Sequence, residues 1–300
     1  MRLPRDPRMI GGAAVLSVAV LASLLNPAPT AAAASSRSTD CRALQPYSAK
    51  AFPSSPRIDN RWLPMRPGID IVLSGTVRED DGKLHAHVIR STVSTVTKLV
   101  NGVRALVLFE RDYEDGLLVE SELAFQAQDR RGTVWNLGEY PEEYEDGSLA
   151  GASSTWITGI ADAHAGVNVP AHPSLHTPAY LQGAARSVEF RDCARFVRTS
   201  AHTCWAGSCT HHALVSDEWA PWDEEGGHQL KYYVAGIGVV RVGAVGGVNP
   251  EVLQLTHRTR LSAAALHRID LQVLAQDRRG YRVSPHIYAK TKPARIGCPR

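Results

Sequence analysis

Residues 84–128 read LHAHVIRSTVSTVTKLVNGVRALVLFERDYEDGLLVESELAFQAQ, and this stretch decides the fold class of the chain. The dipeptides Asn101-Gly102 and Asp115-Gly116 separate three apolar runs. Both dipeptides accept the positive φ angles that a two-residue hairpin turn requires. The predicted strands are Leu84 to Val100, Val103 to Glu110 and Leu117 to Gln128. The stretch therefore predicts an antiparallel β-meander.

Side-chain alternation assigns the two faces of the third strand. One side carries Leu117, Val119, Ser121, Leu123, Phe125 and Ala127, and the other carries Glu120, Glu122, Gln126 and Gln128. This period of two predicts a strand with one buried face. The preceding strand is apolar at nearly every position from Val103 to Phe109, which is typical of a strand covered on both faces. Another part of the chain must therefore cover the sheet.

The same signals extend the meander in both directions. Further strands are predicted at Ile69 to Val77, Val188 to Thr199, His211 to Trp219, Gln229 to Val234, Ile237 to Val242 and Glu251 to His257. A helix is predicted at about 261–278, because apolar residues recur there at helical spacing, Ser262 can cap the first turn and Gly280 can end it. The predicted fold class is mainly β, a large curved antiparallel sheet with a C-terminal helix.

Two segments lack strand periodicity. Residues 35–68 contain five prolines, which deny hydrogen bonds to a ladder, and we interpret this segment as an N-terminal arm. Residues 151–186 contain aromatic, histidine and proline residues with no sustained period, and they are predicted to form a long loop across one face of the sheet. Residues 69–300 are then predicted to be a single β domain.

The N-terminus carries the pattern of a secretory signal peptide. Arg2, Arg5 and Arg8 precede the apolar stretch Met9 to Leu25, and small residues offer a cleavage site near Ala33-Ala34. We predict that residues 1–34 are removed and that the protein is secreted or extracytoplasmic. No later run approaches the length of a membrane span, so none is expected in the mature chain. Basic and acidic residues nearly balance after the leader, which argues against nucleic acid as a partner.

The five cysteines are interpreted as a disulfide framework, because an exported protein matures under oxidising conditions. A bridge between Cys204 and Cys209 would link the two strands at the tip of a hairpin. Cys41 and Cys298 lie near the two ends of the mature chain, and domain termini often lie close together, so a bridge between them is the second prediction. Cys193 lies within a strand and would remain as the odd, buried thiol.

Histidines surround the predicted hairpin bridge. His202, Cys204, Cys209, His211 and His212 include the donor types that bind zinc. The spacing lacks a Cys-x-x-Cys pair, and oxidation would remove the thiolates that a metal needs. The disulfide is the simpler interpretation, so neither a metal nor a cofactor is predicted.

A hairpin at residues 231–240 carries a resemblance to known proteins. Its segment Tyr232-Tyr233-Val234-Ala235-Gly236-Ile237-Gly238 resembles the Tyr-Tyr-x-x-Gly-x-Gly turn of several families of uncharacterised exported bacterial proteins. Further matching stretches are Asn60-Arg61-Trp62-Leu63-Pro64 with Pro67-Gly68, residues 137–146, Tyr180-Leu181-Gln182-Gly183 and Asp217-Glu218-Trp219. Together they look like one family of secreted proteins, from about Asn60 to the end. Some proteins with this turn are similar in outline to the half-barrels of lipoprotein carriers, which implies an open curved sheet with an apolar concave face.

The leading functional hypothesis is a non-enzymatic module that holds an apolar small molecule or a partner protein of the cell envelope. It depends on the long aromatic-containing loop that interrupts the predicted sheet. The residues expected to line the mouth of the binding site are Trp156, Tyr180, Tyr232 and Tyr233. The alternative is that these aromatic rings only complete a packed core.

Two other hypotheses stay open. Carboxylates among Glu139, Glu142, Glu143, Asp217 and Glu218 could supply the acid and the base of a secreted hydrolase acting on glycans, although their separation cannot be read from the sequence. A structural protein of the envelope could instead bind another exported protein through a sheet edge.

Overall fold

The structure, a computed structural model, describes residues 41–79, 81–223 and 225–297. The predicted signal peptide and Cys298 lie outside these residues. The strands are β1 (Ile69–Arg78), β2 (Leu84–Val100), β3 (Val103–Glu114), β4 (Leu117–Gln128), β5 (Val134–Glu145), β6 (Ser148–Gly151), β7 (Trp156–Ile157), β8 (His164–Val169), β9 (Tyr180–Ala185), β10 (Phe190–Trp205), β11 (Ser208–Trp219), β12 (His228–Val234), β13 (Gly238–Val245), β14 (Glu251–Arg260) and β15 (Arg295–Ile296). The α-helices are α1 (Ala263–Val283) and α2 (Pro285–Tyr288), and 3₁₀ turns lie at Ala49–Ala51 and Arg186–Val188.

Twelve of these strands form a closed antiparallel barrel. Their order around the wall is β1, β14, β13, β12, β11, β10, β9, β8, β5, β4, β3 and β2. The expectation of an open half-barrel is wrong, because β1 pairs with β14 on one side and with β2 on the other. Closure gives the long strands β1 and β2 a hydrogen-bonded neighbour on both sides, whereas an open sheet would leave an exposed edge.

The predicted hairpins of the first half are confirmed. Strands β2 and β4 have the predicted bounds, while β3 continues four residues further, to Glu114. Asn101 and Gly102 have φ angles of 43° and 82°, and Asp115 and Gly116 have φ angles of 47° and 83°. Two consecutive positive φ angles are the signature of the type I′ turn.

The predicted long loop at residues 151–186 is wrong, because this segment contains β7, β8 and β9. Strands β8 and β9 belong to the barrel wall. They are short and pack glycine against neighbouring backbone, so they carry little side-chain alternation. A Cβ atom on Gly166 would lie 2.2 Å from the carbonyl carbon of Gln182. This close approach of the two backbones explains why no periodic side-chain pattern predicted these strands.

The alternation of β4 is as predicted, but its polar side faces the inside of the barrel. The apolar side faces outward and is covered by α1. The largest hydrophobic core lies between the barrel wall and this helix, and it includes Phe109, Leu123, Phe125, Ile269, Val273 and Tyr288. Polar groups cross the same contact, since Ser121 donates a hydrogen bond to the Gln276 side chain at 2.9 Å.

Helix α1 begins where the sequence predicts. The Ser262 hydroxyl accepts a hydrogen bond from the amide of Ala265. The helix does not end at Gly280 but continues to Val283. Gly280 instead makes room for the ring of Tyr288, because a Cβ atom there would lie 2.5 Å from that ring. Within the described ranges, no helix is long and apolar enough to cross a bilayer.

Replacing Ser262 by alanine is expected to lower the free energy of unfolding by about 1 kcal/mol, because the amide of Ala265 loses its capping acceptor. Urea denaturation of the two proteins measures the difference. Ser262→Asp restores an acceptor at the same position and should recover most of the loss. Equal stabilities for all three proteins would contradict the capping role.

The N-terminal arm is fixed to the barrel by Asn60. Its amide nitrogen donates to the carbonyl oxygens of Gly132 and Pro170 at 2.9 and 3.1 Å. Its amide oxygen accepts hydrogen bonds from the backbone amides of Trp62 and Leu63. These contacts hold the following residues of the arm against the barrel interior.

The disulfides agree with one prediction and correct another. Cys204 and Cys209 are bonded as predicted. Cys41 is bonded to Cys193 and not to Cys298, so Cys193 is not a free thiol. The bridge joins the arm to β10 rather than one end of the chain to the other. Sequence separation alone did not identify the partner, because β10 reaches the arm only through the barrel topology.

Candidate functional site

Even-numbered residues of β3 and β4 point into the barrel and bring four carboxylates together. They are Glu110 and Asp112 on β3 and Glu120 and Glu122 on β4. Glu110 stands directly opposite Glu122 in the register of the two strands, and Asp112 stands directly opposite Glu120. Like charges in directly opposed positions destabilise a sheet. This arrangement therefore costs stability unless protons or a bound cation neutralise it.

The four carboxylates face a cavity of about 490 Å³ inside the barrel. Four more carboxylates reach it from other strands, namely Glu139 of β5, Asp192 of β10, Glu218 of β11 and Glu251 of β14. We call these eight residues the acidic wall. Their side chains face the cavity and not the outer surface of the barrel; Glu218 is buried, and the other seven are half-buried.

A contiguous part of the barrel lines the same cavity with hydrocarbon. Strands β2, β1, β14 and β13 are neighbours in the sheet. The cavity-facing residues of β1, β2 and β13 are mostly aliphatic, and we define the apolar wall as Ile71, Leu73, Ile89, Val93, Val239 and Val242. Leu63 and Met65 of the arm extend this surface. The cavity is thus amphipathic, with carboxylates on one part of its lining and aliphatic side chains on another.

Several members of the acidic wall have partners. Glu218 lies 2.8 Å from the Lys231 ammonium and accepts a hydrogen bond from the Tyr233 hydroxyl at 3.1 Å. Glu139 accepts from the Asn136 amide at 2.6 Å and from the Trp156 indole at 2.9 Å. Both carboxylates are therefore held in fixed orientations.

Glu110, Asp112 and Glu251 also have partners. The Ser91 hydroxyl donates to Glu110. His87 lies between two carboxylates: its Nε2 atom contacts Asp112, and its Nδ1 atom lies 2.8 Å from Glu251, although the angle there is not that of a hydrogen bond. Burial opposes the charge of the imidazole, but the two carboxylates outweigh it and raise the pKa of His87 to about 10. His87 is therefore a cation at neutral pH.

The side-chain carboxyl groups of three members of the acidic wall, Glu120, Glu122 and Asp192, make no hydrogen bond or ion pair with any residue that the structure describes. Burial, followed by the repulsion of Asp112, raises the pKa of Glu120 to about 8. Burial is the larger cause, and repulsion by the Glu139 carboxylate the second, that raises the pKa of Glu122 well above its ordinary value. The same two causes raise the pKa of Asp192 to about 7. These carboxyl groups are available to a ligand.

Two solved structures are similar to this chain at low identity. A protein of Bacteroides fragilis, provisionally described as exported and as having a YmcC-like fold, is 13% identical, with 67% of this chain and 100% of that chain covered and a TM-score of 0.37. A protein of Parabacteroides distasonis, provisionally described as a lipoprotein, is 11% identical, with 74% of this chain and 100% of that chain covered and a TM-score of 0.34. Neither likeness carries a functional argument.

The sequence comparisons give no family. No protein-family model matches the chain. No curated protein matches it either.

The four aromatic residues expected at the mouth of a binding site do not lie together. Only Tyr233 lines the cavity. Trp156 is buried and stacks on Phe190, with 4.8 Å between ring centroids. Tyr180 is buried, and its hydroxyl donates to the backbone carbonyl of Asn168. Tyr232 does not line the cavity, although it belongs to the hydrophobic cluster that includes Leu73 and Val242 of the apolar wall.

The carboxylates of the hydrolase hypothesis are also divided. Glu139 and Glu218 face the cavity. Glu142 is buried on the outside of the barrel, where Arg279 of α1 binds both of its oxygens. Glu143 accepts a hydrogen bond from Ser153, and Asp217 is paired with Arg195 and His228. The two cavity carboxylates already have fixed partners, so the hydrolase stays a hypothesis without a free acid and base pair among these five residues.

The sequence reasoning found Glu120 and Glu122 on one side of β4 but did not identify them as a site. The turn at Asp115-Gly116 would by itself place Glu110 opposite Ser121. An irregularity between Asp112 and Tyr113 shifts the register by one residue and places Glu110 opposite Glu122 instead. A β-bulge of this kind has no reliable sequence signal, so the opposed carboxylates could not be predicted.

Proposed function

We propose that the barrel binds an amphipathic organic cation, with its ammonium group against the acidic wall and its hydrocarbon part along the apolar wall. The observation that carries the proposal is the presence of unpartnered carboxylates and a contiguous aliphatic surface in one cavity. A ligand of this chemistry satisfies both surfaces at once. The earlier hypothesis of a purely apolar ligand leaves the carboxylates without a role.

The surplus of carboxylates over cations in the cavity favours a positively charged ligand. The acidic wall contains eight carboxylates, whereas His87 and Lys231 are the cations that contact them among the described residues. Buried carboxylates without a counter-ion take up protons, which is the origin of their raised pKa values. An ammonium group placed between Glu110, Glu120 and Glu122 would replace those protons and form charge-assisted hydrogen bonds.

The apolar wall and the size of the cavity favour a ligand with a hydrocarbon part. Burial of apolar area stabilises a complex by roughly 25 cal/mol per Å². A volume of about 490 Å³ lies within the range of small-molecule sites. Neither inorganic cations nor fully polar polyamines would use the aliphatic surface. We therefore favour a primary or secondary amine with an alkyl or aryl group.

The proposed function is extracytoplasmic. Two disulfides support this location, because such bonds persist in oxidising compartments. The N-terminal sequence pattern at residues 1–34 supports it independently, since it has the charges, the apolar stretch and the small residues of a signal peptide. A barrel of this kind would carry or sequester its ligand outside the cytoplasm.

Octylamine is expected to bind the mature protein at pH 8 at least ten-fold more tightly than octanol or octanoate. All three probes present the same hydrocarbon to the apolar wall, so the head group alone sets the difference, and only the ammonium group is attracted by the acidic wall. Isothermal titration calorimetry measures the three affinities. Octanoate binding as tightly as octylamine, or no binding of any probe, would overturn the proposed function.

A further inference from the structure

The hairpin of β10 and β11 continues beyond the pairing of its strands with β9 and β12 and lies against β14, where Gln254 donates a hydrogen bond to the Cys204 carbonyl oxygen at 2.6 Å. Pairing of β10 with β9 ends at Ala194, and pairing of β11 with β12 ends at Leu214. The intervening residues 199–213 form a two-stranded ribbon, which we call the β10–β11 ribbon. Its end carries the second disulfide of the protein, between Cys204 and Cys209. The cavity and the acidic wall do not include any residue of this ribbon.

Four side chains with metal-binding atoms share one face of the ribbon. Cys204 pairs directly with Cys209 across the strands, and one alternation closer to the barrel stand His202 and His211. The two imidazole rings have a centroid separation of 4.5 Å. The Nε2 atom of His202 lies 3.8 Å from the Cys204 sulfur. The ligand atoms of His202, Cys204 and Cys209 all lie within 4.8 Å of one another.

We propose that reduction of the Cys204–Cys209 disulfide converts the ribbon into a Cys₂His₂ site for a thiophilic divalent metal such as zinc. A tetrahedral zinc ion with ordinary Zn–S and Zn–N bond lengths separates a sulfur from a nitrogen ligand by about 3.6 Å. The His202–Cys204 distance of 3.8 Å is already close to this value. Zinc binding then requires side-chain rotation chiefly at His211, because the ligand atoms already gathered within 4.8 Å are those of His202, Cys204 and Cys209.

The chemistry balances with a dithiol as the reductant. The dithiol transfers two electrons and two protons to the disulfide, becomes a cyclic disulfide and leaves two cysteine thiols. A zinc ion then displaces both thiol protons and binds two thiolates and two neutral imidazoles. In the oxidised state the sulfurs are bonded to each other and cannot act as thiolate ligands. The oxidation state of the ribbon thereby controls the metal affinity.

The ribbon disulfide is open to a reductant, while the other disulfide is not. Cys209, His202 and His211 are exposed. Cys41 and Cys193 retain only 2% and 0% of their accessible surface. Mild treatment with dithiothreitol should therefore reduce the ribbon and leave the bridge that holds the arm. Selective reduction allows the metal site to be tested on the intact, folded protein.

The test is a titration of the mature protein with cobalt and then zinc, after dithiothreitol reduction and anaerobic removal of the reductant. One equivalent of cobalt is expected to bind with thiolate-to-cobalt charge-transfer absorption, and zinc is expected to displace it. The oxidised protein is expected to give no such absorption. Absence of the charge-transfer absorption in the reduced protein would overturn the proposal.

Single variants separate the ligands from their surroundings. His202→Ala and His211→Ala are each expected to weaken zinc binding at least ten-fold. His267→Ala is the control, because His267 is an exposed histidine of helix α1 and not of the ribbon. Circular dichroism checks that each variant is folded. Unchanged affinity in both His202→Ala and His211→Ala, or equal losses in all three variants, would contradict the Cys₂His₂ assignment.

Discussion

Replacement of Asp277 by asparagine is expected to lower the free energy of unfolding by about 3 kcal/mol or more. The Lys98 ammonium lies 2.7 Å from an Asp277 carboxylate oxygen, and both side chains are fully buried between β2 and α1. Removing one charge of a buried pair leaves the other without compensation, which typically costs about 3–5 kcal/mol. Asparagine keeps the shape of the side chain but has a single acceptor oxygen, so the loss combines the missing charge with one of the two hydrogen bonds that Asp277 accepts from Lys98 and from the Ala294 amide.

The pH dependence of the stability of the Asp277→Asn variant is a second test of the Lys98–Asp277 ion pair. Burial lowers the pKa of Lys98, and Asp277 opposes this effect in the native protein. Without the carboxylate the folded state releases its Lys98 proton below the ordinary pKa of 10.5, whereas the unfolded state retains it. The unfolded state then binds more protons, so the stability of the variant rises with pH up to about 10.5. Urea denaturation at several pH values measures this slope.

Two controls make the interpretation specific. The double variant Lys98→Met with Asp277→Leu removes both charges and should lie within about 1 kcal/mol of the native protein or above it, since apolar replacements of buried ion pairs are often neutral or stabilising. Asp146→Asn changes an exposed carboxylate in a turn and should have no measurable effect. A double variant as unstable as Asp277→Asn would show that packing, and not charge, dominates.

The second large effect is expected in the cavity. The double variant Glu120→Gln with Glu122→Gln should weaken octylamine binding at least thirty-fold, because loss of a buried charged partner costs about 2 kcal/mol or more. Glu145→Gln is the matched control, since Glu145 is exposed at the end of β5. Calorimetry at pH 8 compares the three proteins. An unchanged affinity in the double variant would remove the acidic wall from the proposed function.

The same double variant should be more stable than the native protein at alkaline pH when no ligand is bound. The carboxyl groups of Glu120 and Glu122 are protonated in the folded state at pH values where the unfolded chain has ionised them, because burial and neighbouring carboxylates raise their pKa values. The folded state therefore binds more protons between the ordinary pKa of 4.5 and about 8, and native stability falls as the pH rises through this window. Glutamine does not titrate, so the slope should be reduced in the variant, and thermal melts from pH 5 to 9 measure it.

The sequence predicted the outer face of β4 better than its inner face. The outer face of β4, which packs under α1, was visible as a row of apolar residues from Leu117 to Ala127. The inner face was visible as Glu120, Glu122 and Gln126, but alternation does not say which side of a strand faces water. Polar side chains were expected to face solvent, and in this barrel they face the cavity because α1 covers the apolar side from outside.

The sequence by itself determined the local structure: the strand bounds of β2 and β4, the two type I′ turns, the Ser262 cap and the Cys204–Cys209 bridge. Each depends on residues close together in the chain, through side-chain alternation, positive φ angles or a short loop. Only the tertiary structure decided the closure of the barrel, the Cys41–Cys193 bond and the clustering of eight carboxylates in one cavity. These features join residues far apart in the chain, and a single register shift at Asp112 changes which of them meet.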